Sequence, residues 1–157
     1  MSINRILKTL TVAGTLLLVS WPSNARAAAQ GKLATAKSIR CTFPLIATGT
    51  WKDAKPEAAV KPASLVLSFE AINTDEGSAQ LNGGFGTFDI IVRLTAGYLH
   101  FIQAFRDGPL YTTTVLEQES SGGKLKAVHS RHEYNAVSLP GFTSSPEQYY
   151  GECEVMN

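Results

Sequence analysis

Apolar and polar residues alternate with period two along most of this chain, and that is the pattern of half-buried β-strands. Ile39, Cys41, Phe43 and Leu45 alternate with Arg40, Thr42 and Pro44, in a strand ending near Trp51. Leu65, Leu67 and Phe69 alternate with Ser68 and Glu70. Phe88, Ile90, Val92 and Leu94 form the cleanest run, facing away from Thr87, Asp89 and Arg93. They are the expected centre of the core. Further strands are expected over 79–81, 98–105, 110–117, 124–134 and 148–155.

Turn formers separate these runs. Asn73 to Gly77, Asn82-Gly83-Gly84, Ala96-Gly97, Asp107-Gly108 and Ser120 to Gly123 punctuate the chain. Two proline-bearing segments, 52–63 and 135–147, are expected to be loops, and the small polar stretch 28–37 a flexible arm. No amphipathic helix is evident. Seven or eight short strands with short connections predict an all-β antiparallel meander. Gly83-Gly84-Phe85-Gly86 lacks the following Lys-Ser/Thr and helix of a phosphate loop, so it reads as a turn.

The first 27 residues change the picture. Arg5 and Lys8 precede an apolar stretch, Leu10 to Trp21, and Ala25-Arg26-Ala27 fits a small-x-small cleavage rule. A bilayer span takes roughly 20 apolar residues and this stretch has about 12, so it reads as a secretory signal peptide at 1–27 and not as an anchor. Removing it leaves about 130 of the 157 residues, enough for a single barrel-like domain over 38–157. The chain carries a formal charge of +1. Arg5, Lys8 and Arg26 fall in the signal, so the mature domain is near neutral and lacks the basic footprint of a nucleic-acid binder.

Export places Cys41 and Cys153 in an oxidising compartment, where a disulfide is expected. One residue lies in the first strand and the other in the last. A bridge brings those strands together and favours a closed or nearly closed barrel.

Candidate chemistry concentrates in Val128-His129-Ser130-Arg131-His132-Glu133-Tyr134. On a strand, His129, Arg131 and Glu133 share one face, while Ser130, His132 and Tyr134 share the other. The two histidines therefore point apart and do not chelate one metal. Ser130 and His132, about 6.6 Å apart on one face, are too distant for a nucleophile and its base. His100 is a candidate for pairing with either from another strand. No cofactor motif is present. Neither face of this strand is cleanly apolar, which is the expected character either of a strand lining a cavity or its mouth or, equally, of an exposed edge strand whose charges block edge-to-edge pairing.

The segments 127–134 and Gln148-Tyr149-Tyr150-Gly151-Glu152-Cys153 resemble small exported proteins of uncharacterised function from alphaproteobacteria. That resemblance implies a periplasmic or secreted home and brings no activity with it. The outline is similar to that of the periplasmic lysozyme inhibitors, but Ser121-Gly122-Gly123-Lys124-Leu125 lacks their Ser-Gly-x-x-Tyr signature.

The leading expectation is a noncatalytic binding module for a small apolar or amphiphilic ligand, with His129, Arg131 or His132 fixing its polar end. The alternatives are a protein-interaction or inhibitor domain of the cell envelope, acting through 52–63 and 135–147, and an enzyme with a cross-strand His site.

Overall fold

Alternation becomes a barrel because each strand has one face to bury and a neighbour on either side. The computed structural model describes residues 31–84, 86–106, 108–133 and 145–156. The expected signal peptide and most of the expected loop 135–147 lie outside the described residues. A short helix, α1 (Lys32–Thr35), precedes eight strands. They are β1 (Ser38–Lys52), β2 (Lys55–Asn73), β3 (Ser78–Gly83), β4 (Gly86–Thr95), β5 (Tyr98–Ala104), β6 (Leu110–Glu119), β7 (Leu125–His132) and β8 (Glu147–Met156). Each pairs antiparallel with the next, and β8 returns to β1, so the meander closes into a barrel. Within the barrel, closure removes the sheet edges that invite aggregation.

Cys41 and Cys153 face each other across the closing seam and are disulfide-bonded. Both are fully buried. Around them Ile39, Phe43, Phe69, Ile72, Val92, Leu99, Phe101 and Val115 fill the interior, with Phe69 and Phe101 stacked at 3.8 Å between ring centroids.

The two barrel ends differ. At one end α1 lies across the opening, and Leu33 and Ala36 plug it. The Glu117 carboxylate accepts the backbone N–H groups of Lys32 and Leu33 and anchors the plug, and Lys32 also pairs with Glu119. The described part of the expected flexible arm, residues 31–37, is thus docked on the barrel. With one large apolar side chain in that stretch, periodicity had nothing to register. At the other end the described residues line a cavity.

Three expectations are corrected by packing. Segment 52–63 is not a loop. Here the β1–β2 ladder runs from Leu45↔Pro62 to Lys52↔Lys55, and beyond Thr48, the last β1 residue in register with β8, it continues as a two-stranded arm turning at Asp53-Ala54. Its prolines sit where β2 no longer has β3 beside it, since that ladder begins at Ser68↔Asn82. An edge strand tolerates the missing N–H.

Leu45, expected to face inward with Phe43, faces outward at 40% exposure, and Ile46 takes the inner phase opposite Tyr149. A bulge between Phe43 and Leu45 inserts Pro44 and flips the alternation. Gly151 lies directly opposite, where a Cβ would come within 2.0 Å of the Thr42 carbonyl oxygen.

The expected core run on β4 is buried only in its middle. Ile90 and Val92 are buried, while Phe88 and Leu94, at the two ends of the strand, keep 37% and 39% exposure.

Candidate functional site

β7 carries polar residues into the barrel because its neighbours supply partners in register. Thr113↔His129 and Tyr111↔Arg131 align on the β6 side, and His129↔Tyr149 and Arg131↔Glu147 on the β8 side. His129 is buried and Arg131 half-buried, both on the inner face as alternation requires. His132 occupies the outer phase, is exposed, and stands apart from the other two candidates. The same reversal of faces that rules out a shared metal removes it from the interior. Among the described residues no three His, Cys, Asp or Glu side chains converge as a metal site.

Arg131 Nε donates to His129 Nε2 at 3.2 Å, so Nε2 is the acceptor nitrogen of a neutral ring. Nδ1 then carries the proton and donates to Thr113 Oγ1 at 2.8 Å. Burial, reinforced by the adjacent Arg131 charge, presses the His129 pKa from 6.5 down to about 3. Phe43, Tyr111 and Tyr149 surround the imidazole, with ring centroids 5.8–6.3 Å away.

The Arg131 guanidinium lies against two of the same rings, 5.3 Å from Tyr111 and 5.1 Å from Tyr149. Each tyrosine hydroxyl donates to a carboxylate, Tyr111 to Glu133 at 3.0 Å and Tyr149 to Glu147 at 2.8 Å. Burial and the Glu147 hydrogen bond push the Tyr149 phenol up to about 12.

Beside this cluster, at the barrel end away from α1, lies a cavity of about 390 Å³. Leu65, Leu67, Leu81, Phe88 and Phe105 supply its apolar wall, and Gln103, Tyr111, His129 and Arg131 its polar side. The volume lies within the usual range for small-molecule sites, and the composition matches theirs, apolar with a few placed polar groups. Phe88 is part of this wall, which accounts for its exposure.

Tyr111, Thr113, Gln103 and Tyr149 were not singled out in the sequence. Their alternation was visible, but their meeting with His129 depends on cross-strand register. The proposed pairing of His100 with Ser130 or His132 is not made. Its ring nitrogens contact Thr95 and Thr114 hydroxyls instead. His129 is poorly suited to general-base work, since both of its nitrogens are engaged and its pKa is low.

Compared with family models, curated proteins and solved structures, the chain shows no match.

Proposed function

We propose that this protein is an exported, noncatalytic binding module that holds a small apolar or amphiphilic ligand in the cavity at the barrel end away from α1. The cavity carries the reading. It joins an apolar wall to a rigid polar cluster, and a domain of this size does not bury such a cluster without partners or use. Barrels of about eight strands are wide enough to enclose one small ligand. The buried disulfide supports a periplasmic or secreted home.

Native mass spectrometry of protein purified from its own host tests this. Wild type is expected to carry added mass, and Leu81→Trp, which fills the cavity, is expected to lose it. Wild type and the filled variant each at its own sequence mass with nothing added, both unresponsive to added amphiphiles, would refute the reading.

One observation favours an interaction domain as the second reading. Leu45, Trp51, Val60 and Tyr150 form an exposed apolar face along the arm and the adjoining barrel wall. If an envelope protein docks there, cross-linking to it is lost in Val60→Glu while the cavity still binds ligand.

A further inference from the structure

Among the described residues that line the cavity, Arg131 is the one that is always charged, and its position is fixed by three neighbours. Its guanidinium is held between the Tyr111 and Tyr149 rings, and Nε is engaged by His129. Its terminal NH1 is 3.9 Å from Glu147 Oε2, close enough for an ion pair and too long for a hydrogen bond. Among the described residues no hydrogen bond is made by the terminal nitrogens of Arg131, yet the side chain lines the cavity and remains 20% exposed. Glu133 and Glu147 accept from tyrosine hydroxyls, and neither lines the cavity. Among the described residues the wall therefore presents one cation and no carboxylate to an occupant, beside a patch of Leu and Phe side chains.

A planar guanidinium with unpaired N–H groups matches a carboxylate, which it grips with two parallel hydrogen bonds. Because the rings and His129 already hold Arg131 in place, little side-chain freedom is lost on binding.

On the ligand-binding reading above, we infer that the occupant is an anionic amphiphile of the fatty-acid type. Its carboxylate sits on the Arg131 terminal nitrogens, and its alkyl chain lies against Leu65, Leu67, Leu81, Phe88 and Phe105.

The test uses the oxidised protein and three probes of equal chain length: decanoate, 1-decanol and decyltrimethylammonium. All are titrated calorimetrically at pH 7.5 below their micellar concentrations. Decanoate is expected to bind at least tenfold tighter than decanol, and the cation weakest. Arg131→Gln, checked for a native melt, is expected to erase that order, bringing decanoate to within about twofold of decanol. Arg131→Lys, which keeps the charge without the fork, is expected to keep the order with a smaller gap. Leu81→Trp is expected to weaken all three.

Equal affinity for decanoate and decanol, a preference for the cation, or an order unchanged in folded Arg131→Gln would each overturn the inference and leave the cavity reading standing. Failure of every probe to bind the natively folded protein would overturn both.

Discussion

At the scale of single residues, His129 ties stability to pH. In the unfolded chain it titrates near its ordinary 6.5, and in the barrel near 3. Between those values the unfolded state binds the extra proton, so this contribution is complete above about 6.5 and is lost as pH falls toward 3. The slope approaches about 1.4 kcal/mol per pH unit at its steepest. In urea melts from pH 7 to pH 4, wild type is expected to lose stability faster than His129→Gln. Parallel curves would mean that the native barrel accepts a charged imidazole. Facing makes a second contrast at this scale. Ile90→Ala, in the buried middle of β4, is expected to destabilise by roughly 2–5 kcal/mol. Asp89→Ala, on the outer phase, should change stability by less than about 1 kcal/mol. Equal shifts in denaturant midpoint would contradict the facing seen here.

Elements show where reading by pattern succeeds and where it stops. The alternating runs of β4 to β8 appeared in the sequence nearly to their ends, because one buried face and one solvated face write a period of two. The bulge was written there as well, in Pro44 and Gly151, but only jointly. Proline alone reads as a break, and the glycine gains meaning once β8 is known to lie across from it. The arm was missed because its two faces meet no core. Without burial to enforce alternation, prolines and lysines look like loop. The polar cluster was half legible. One strand's phase put His129 and Arg131 on a common face, whereas Tyr111, Thr113, Tyr149 and Glu147 joined them through register, which no local pattern encodes. The arm's own turn is open to test. Asp53 and Ala54 have φ of 49° and 63°, a left-handed pair in the manner of a type I′ hairpin, where glycine is preferred at the second position. Ala54→Gly is expected to tighten the arm by about 1 kcal/mol. The barrel can unfold without sensing that change, so the measurement is amide exchange at Thr50 and Val60. Faster exchange in the variant would count against the turn.

For the whole molecule, the disulfide makes the closing pair of strands covalent. Replacing both cysteines by alanine is expected to lower stability by about 4–5 kcal/mol on the chain-entropy account, with the barrel topology retained. A melt unchanged by the double replacement would show that strand pairing alone secures the closure. The bond also bears on survival among proteases. Cys41 and Cys153 enclose β2 to β7 and every loop between them, so the chain from one to the other is a covalent circle. A single cut in any of those turns opens the circle without releasing a piece, and the halves stay registered through the ladders on either side. Limited digestion should therefore yield a species that migrates as one band until a reductant is added and then separates into two. An enzyme that trims the exposed arm would leave behind a barrel still closed and still plugged by α1 at one end.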